Sequence, residues 1–257
     1  MKYYVASDVH GFYSEFRQAL DQAGFFTETA PHKLIVLGDL FDRGQEAKEL
    51  QDFILGLMEQ ERVILIRGNH EDLYIDFATV DDGAPLEHHV LNGTYSTALQ
   101  LTKFDPDLAI SQCHCFAMAA MQTPLYQKII PAARDYYETQ NYVFVHGWIP
   151  CIPSIHEYIH YADWRSASAD EWANARWYNG IKASQTVRDN KTIICGHWHA
   201  SYGHSWFEGK GSEFGSDAIF SPYFGSGIIA IDACTAHSGI VNIFVLEDEE
   251  TDYDKQV

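Results

Sequence analysis

The sequence is poor in basic charge: 17 Lys and Arg stand against 36 Asp and Glu, a formal charge of −19 over 257 residues. A face that displaces counterions from duplex nucleic acid or anionic lipid needs clustered Lys and Arg, so neither long nucleic acid nor membrane is expected as a partner. Long apolar runs are missing as well. None approaches the ~18–20 residues that cross a bilayer, and the opening MKYYVASDVHG starts on a strand-like run without a signal-type core. A cytoplasmic protein is expected. Cysteine is scarce: Cys113, Cys115, Cys151, Cys195 and Cys234 are odd in number and lack framework spacing, which suits free thiols in a reducing compartment. Cys113-His114-Cys115 does not have the usual zinc spacing and reads as a half-buried helix edge. No cysteine is followed six positions later by arginine, and neither G-x-S-x-G nor G-x-x-x-x-G-K-[ST] occurs. These absences remove the thiol phosphatases, the elbow-type serine hydrolases and the P-loop enzymes. What remains is an ordinary globular composition, 46% hydrophobic and 14% aromatic.

Periodicity gives an α/β reading. Lys2–Ala6 is a strand, and Ser14–Ala23 is a helix with Phe16, Ala19, Leu20 and Ala23 on one face, Ser14 as N-cap and Gly24 as stop. Leu34–Leu37 is a buried strand, Ala47 to Met58 a second helix, and Val63–Ile66 a third strand. Short connections between them predict βαβ units and a largely parallel sheet. From about Glu71 to Gln140 helical patterns take over, at Ser96–Leu101, Phe116–Met121 and Leu125–Tyr137. A helical insertion at about 78–140, within one domain spanning 1–257, is expected. Strands return at Tyr142–Val145, Thr192–Cys195, Gly227–Ile231 and Ile240–Leu246, with Trp206–Gly227 as a long surface loop and an acidic, solvated tail from Glu247.

The chemistry sits where the strands end. YYVAS leads into Asp8-Val9-His10-Gly11, and LIVL into Gly38-Asp39-Leu40-Phe41-Asp42-Arg43-Gly44. VILI leads into Arg67-Gly68-Asn69-His70-Glu71, YVFV into His146-Gly147, and TIIC into Gly196-His197-Trp198-His199. Open α/β sheets bind ligands at the carboxyl edge, and glycine lets the backbone turn there and approach a ligand closely. One such aspartate is commonly a helix cap and one such histidine a hydrogen-bonded wall residue. Capping does not explain all of them together. Carboxylates, an amide oxygen and several imidazoles form an N/O set for borderline divalent metals, so a dinuclear metal centre is expected.

D-x-H-G, G-D-x-x-D-R-G, R-G-N-H-E, H-G and G-H-x-H, in that order between residues 8 and 199, resemble the calcineurin-like metallophosphoesterase superfamily. The second and third blocks resemble its PPP branch, which holds serine/threonine protein phosphatases, phage-type phosphatases and bacterial diadenosine tetraphosphatases. The resemblance implies two mixed β-sheets packed together and flanked by helices. It implies Asp8 and His10 on a first metal, Asp39 bridging, and Asn69, His146 and His197 on a second. It implies His70 as general acid oriented by Asp42, with Arg43 and Arg67 holding phosphate oxygens through their guanidinium forks. Two divalent ions, with Mn expected and Fe, Zn or Co as alternatives, would lower the pKa of a shared water and neutralise charge on the phosphoryl group. Hydroxide then attacks phosphorus in line while His70 protonates the leaving oxygen.

Some positions depart from the pattern. Ser7 stands where PPP members usually have glycine, and Trp148 follows Gly147 in place of a second glycine. His199 is usual in the wider superfamily and unusual in PPP members; it reads as a further ligand of the first metal, with a rim residue as the alternative. Arg176 is the candidate for a third phosphate-binding arginine, against a surface arginine packed on Trp177. His156-Glu157-Tyr158-Ile159-His160 fits H-E-x-x-H, but Pro150 and Pro153 leave little helix ahead of it, so no protease is expected. His88, His89 and His237 read as surface or core histidines. The leading reading is a phosphomonoesterase acting on a phosphorylated substrate, phosphoserine, phosphothreonine or phosphotyrosine in protein among them. A dinucleoside polyphosphate hydrolase, a phosphodiesterase and a non-catalytic metal-binding scaffold are the alternatives.

Overall fold

Alternate side chains of each apolar run are buried on opposite faces, which is why those runs carry no polar interruptions. The computed structural model describes residues 1–79, 86–154, 157–161 and 163–250. Eleven strands are present among them: β1 (Lys2–Ala6), β2 (His32–Leu37), β3 (Val63–Ile66), β4 (Tyr137–Glu138), β5 (Tyr142–Phe144), β6 (Cys151–Pro153), β7 (Tyr158–His160), β8 (Thr192–Cys195), β9 (Tyr223–Gly225), β10 (Ile228–Ala230) and β11 (Phe244–Glu247). One sheet has the order β11-β1-β2-β3, with β1, β2 and β3 parallel and β11 antiparallel. The other has the order β4-β5-β8-β10-β9, with β5, β8 and β10 parallel and both edge strands antiparallel. The two mixed sheets implied by the motifs are therefore both there.

The sheets pack face to face through Tyr3, Val5, Ile35 and Leu37 on one side and Phe144, Ile194 and Ile229 on the other. Their neighbours in sequence face outward. Tyr4, Ala6, Leu34 and Val36 meet Phe16 and Leu20 of α1 (Tyr13–Gln22) and Leu50, Ile54 and Leu57 of α2 (Ala47–Glu59). Val143, Ile193, Cys195 and Ile228 meet Trp148, Trp172 and Ile181. Each such buried Leu, Ile or Phe contributes about 1.5–3 kcal/mol. A rigid pair of sheets thus fixes the two carboxyl edges against each other. Between β3 and β4 lie α3 (Asn69–Thr79), α4 (Leu86–Asn92), α5 (Thr94–Thr102), α6 (Pro106–Ala109) and α7 (Cys113–Ala120). No helix among the described residues is long and apolar enough to cross a membrane.

Several local expectations need correction. Helix α1 begins at Tyr13 with Phe12 at its cap, and Ser14 turns to Glu46, whose carboxylate accepts from its backbone N–H at 2.9 Å. The helix expected over Leu125–Tyr137 stops early: Leu125–Ile129 is π-helical, Ile130–Ala132 makes one short turn, and Tyr137 already belongs to β4. Pro131 has no N–H to continue the ladder. Strands β6 and β7 form a hairpin that no alternation announces, since each has three residues and Pro153 ends the first. His160 lies on β7, whereas His156 of the same motif lies outside the described residues. The expected loop Trp206–Gly227 is shorter, because Trp206 and Phe207 close helix Ala200–Phe207 and Tyr223–Gly225 is β9. Cys113 and Cys115 are exposed on α7, where a half-buried edge was expected.

Candidate metal centre

The carboxyl ends of the parallel strands converge on one pocket of about 160 Å³, lined by Asp8, His10, Asp39, Arg43, Asn69, His70, Asn92, Trp177, His197, His199, Asp232 and Cys234. Backbone bonds knit the strand ends together: His10 N–H donates to the Asp39 carbonyl at 2.9 Å, and Gly196 N–H to that of His146 at 2.8 Å. The turns are tight enough to force left-handed backbone. Among the described residues, non-glycine positive φ occurs at Asp8, His10, Asp39, Asp42, Arg43, His197 and Cys234, and outside the site only at Glu61 and Lys103. Such conformations cost about 1–3 kcal/mol each and persist where the surroundings over-determine them, so their concentration here marks a functional site. Gly38, at φ +79°, is required in the same sense: a Cβ there would lie 2.5 Å from Gly68 and 2.8 Å from His146 Nδ1.

Asp39 is the centre of the arrangement. One ligand-type atom from each of His10, Asp39 and His70 lies within 4.8 Å of the others, and the same holds for Asp39, His146 and His197. His146 Nδ1–H donates to the Leu37 carbonyl at 2.6 Å, and His10 Nδ1–H to that of Phe41 at 3.0 Å. Each ring therefore presents a bare Nε2. That of His146 faces the Asn69 amide oxygen at 2.8 Å and Asp39 Oδ1 at 3.3 Å. His10 Nε2 faces Asp39 Oδ2 at 3.8 Å. Burial holds these imidazoles neutral: His10 well below its usual range, His146 below it, and His197 at about 3 with His146 adding to the effect. Burial opposes ionisation of Asp39, yet His146, His70, His10 and His197 around it hold its carboxyl below the usual carboxylate range. Lone pairs thus point at one another with no proton between them, an arrangement that a cation relieves. The residues fit divalent metal.

His70 differs. Its Nδ1 lies 2.7 Å from Asp42 Oδ2, and Asp42 also accepts from Thr94 Oγ1 at 2.8 Å while its backbone N–H donates to Thr97 Oγ1 at 2.9 Å. Burial works against charge on His70, but Asp39 and then Asp42 outweigh it and raise its pKa. Its Nε2 stands 3.9 Å from Asp39 Oδ2 and 3.3 Å from Arg43 Nη2, at the pocket wall. Carboxylates on both sides thus favour the charged ring of His70, whereas burial prevails at His10, His146 and His197.

The structure brings Asp8, His10, Asp39, Arg43, Asn69, His70, His197 and His199 to the pocket lining. His146 and Asp42 stand behind them, bonded to lining residues. Asp8 accepts from His197 N–H at 2.9 Å, and burial with Asp232 and Asp39 nearby raises its carboxyl well above the usual range. His199 has Nδ1 2.8 Å from Ser201 Oγ and Nε2 3.2 Å from Glu213 Oε1. Arg67 and Arg176 are not brought to the lining. Asp72 holds both, Arg67 Nη2 at 2.6 Å and Arg176 Nη1 at 2.8 Å, while Asp135 takes the other end of Arg176. Arg176 is buried, so a surface arginine packed on Trp177 is not what is found.

Sequence reasoning passed over two carboxylates. Asp232 follows β10 and lines the pocket, its pKa pushed up to about 6 by burial and Asp39; the signal was another apolar run ending in Asp. Glu71 accepts from the N–H groups of Gly68, Asp39 and Leu40 at 2.7, 3.0 and 3.0 Å, which pins the Asp39 turn. Burial and the Asp39 charge push its pKa up to about 7.

The model of the calcineurin-like phosphoesterase family matches residues 1–224. The chain is similar to a bis(5'-nucleosyl)-tetraphosphatase PrpE (asymmetrical) of Bacillus subtilis, 29% identical over 132 residues, which are 49% of this chain and 52% of that protein. It is similar to a symmetrical bis(5'-nucleosyl)-tetraphosphatase of Erwinia tasmaniensis, 38% identical over 71 residues, 28% of this chain and 24% of that one. The chain thus spans about half the length, or less, of these curated relatives. In fold it resembles the cold-active protein-tyrosine phosphatase of a psychrophilic Shewanella, at 18% identity and TM-score 0.53, over 96% of this chain and 75% of that one.

Proposed function

This chain belongs to the calcineurin-like phosphoesterase family, and we propose that it is a metal-dependent hydrolase that cleaves phosphate monoesters, with His70 as general acid. The observation that carries the reading is the buried His70–Asp42 pair, 2.7 Å apart, set beside Asp39, which faces His10 on one side and His146 on the other. Asp8, His10 and Asp39 would hold one ion, with His199 as a further ligand once it leaves Glu213; Asp39, Asn69, His146 and His197 would hold the other. Mn is the ion expected, with Fe, Zn and Co suited to the same donors. Two divalent ions bound there would supply an activated water and would neutralise charge on the phosphoryl group. Asp39 keeps the two halves of the site in register through its two oxygens. Arg43 offers its guanidinium to non-bridging phosphate oxygens. His70 gives its Nε2 proton to the oxygen that leaves phosphorus, and Asp42 stabilises the charged ring until then. Arg67 and Arg176 reach phosphate only by exchanging Asp72 for it.

A second reading, hydrolysis of a phosphoanhydride in a dinucleoside polyphosphate, is supported by the sequence relatives, which are named for that activity. Turnover by Mn-loaded protein on a phosphopeptide and on diadenosine tetraphosphate, at matched concentration, tests both. Higher kcat/KM on the phosphopeptide supports the first, higher kcat/KM on the dinucleotide the second, and no turnover of either points to a metal-binding scaffold.

A further inference from the structure

The pocket mouth carries a group that phosphate chemistry does not use. Trp177, just after helix Ala169–Ala175, lines the pocket with 48% of its surface exposed. The two residues before it are packed closely against the chain after His146. The carbonyls of Ala175 and Arg176 press against Gly147, where a Cβ would come within 2.5 and 2.6 Å of them, and Trp148 N–H donates to Ala175 at 3.1 Å. The ring meets that of His197 at 5.9 Å and near a right angle. From His197 aromatic rings continue outward through Trp198 at 6.2 Å, Tyr202 at 5.9 Å and Trp206 at 5.8 Å, the last 66% exposed.

We propose that Trp177 is a stacking platform for the base of a nucleoside phosphate, a contact that decides specificity and rests on the second reading above. A pocket of about 160 Å³ takes a phosphoryl group beside its ions, so the remainder of any substrate lies on the rim. His70 and His197 belong to the two different groups that Asp39 joins, and Trp177 packs on His197. With His70 as the acid, the departing oxygen lies on its side of Asp39, and a ring stacked on Trp177, which packs on His197, is reached through a spacer such as a sugar and further phosphates. The neighbouring rim favours an uncharged ring. Glu213 holds His199 at 3.2 Å and Trp206 Nε1 at 3.1 Å, and Arg43 is the only guanidinium among the described lining residues. A nucleobase offers both a neutral face and exocyclic amines that donate to a carboxylate.

The test compares the parent, Trp177→Ala and Trp177→Phe, all Mn-loaded, on diadenosine tetraphosphate and on inorganic tripolyphosphate. Base stacking on an aromatic side chain is worth roughly tenfold in affinity. The ratio of kcat/KM for the dinucleotide over tripolyphosphate is expected to fall by that factor in Trp177→Ala, through KM, and to recover in Trp177→Phe. An unchanged ratio overturns the proposal. So does selective loss on a phosphotyrosine peptide relative to a phosphoserine peptide, which would assign the ring to an aryl phosphate. Equilibrium dialysis of adenosine monophosphate against metal-free protein, with ribose 5-phosphate as control, separates this from the hydrolase reading. A parent that binds the nucleotide through Trp177 yet cleaves neither substrate refutes the dinucleotide-hydrolase reading and supports the platform; turnover with an unchanged ratio does the reverse.

Discussion

His70 and His146 are buried in the same pocket region, and the atom opposite Nδ1 sets them apart. For His70 it is the Asp42 carboxylate at 2.7 Å, and for His146 the Leu37 carbonyl at 2.6 Å. Both acceptors fix the ring and its tautomer. Only the carboxylate supplies the negative charge that stabilises an imidazolium in a dry site. His70 is accordingly raised in pKa and His146 lowered, with burial pushing both downward. One residue type is thus held toward its charged form on one side of Asp39 and as a bare lone pair on the other.

The largest effect should come from removing what the two sides share. Asp39→Asn leaves each metal-binding group without its common carboxylate, so Mn content by atomic absorption should drop and turnover fall to background, as chelation does to the parent. Normal Mn content in that variant would show that the site does not depend on Asp39. The next substitution treats the two histidines alike. His70→Asn should cost about 10²–10⁴ in kcat, the usual worth of a general acid, with Mn content unchanged. His146→Asn should lose Mn along with activity. Equal metal loss in both would erase the distinction.

Asp42→Asn converts the acceptor opposite His70 from charged to neutral, making it resemble His146. A proton donor is active below its pKa and fails as pH rises through it. Loss of the carboxylate lowers the His70 pKa, so the alkaline limb of kcat/KM should move toward acid by about 1–3 units. At neutral pH the rate should fall roughly tenfold or more. A limb that stays in place would mean that Asp42 does not govern the acid.

The strand-end residues around Asp39 were legible in the sequence, and part of the surroundings of His70 was not. Strand-end placement followed from apolar runs whose two faces are both covered, so β1, β2, β3, β5 and β8 announce Asp8, His10, Asp39, Asn69, His146 and His197 through composition alone. Asp232 escaped because β10 and Ile231 lead into Asp232-Ala233-Cys234 with no glycine beside the aspartate, although Cys234 supplies the left-handed turn instead. The hairpin of β6 and β7 escaped because three residues are too few to show two full repeats of a two-residue alternation. Arg67 comes from a motif and Arg176 from the segment after His146-Gly147, but the position of both depends on Asp72, which is 104 residues from Arg176 in the chain. Thr94 and Thr97 are of the same kind. Threonine on a helix reads as neutral filling, and what it touches is set by how α5 packs on the turn after β2.

Thr94 therefore offers the finest test of the difference between the two histidines. Its Oγ1 donates to Asp42 Oδ2 at 2.8 Å, the same oxygen that holds His70, and it is fully buried. Thr94→Val keeps the volume and removes the donor. The lost hydrogen bond should cost about 1–2 kcal/mol of folding stability, read from urea melts. It should also leave the Asp42 carboxylate with one fewer donor sharing its negative charge, so that it draws more strongly on the His70 proton. The alkaline limb of kcat/KM should then move upward by less than one unit, opposite in direction to Asp42→Asn. Loss of stability with an unmoved limb would make Thr94 a packing residue alone, and would place the whole control of His70 in Asp42 and Asp39.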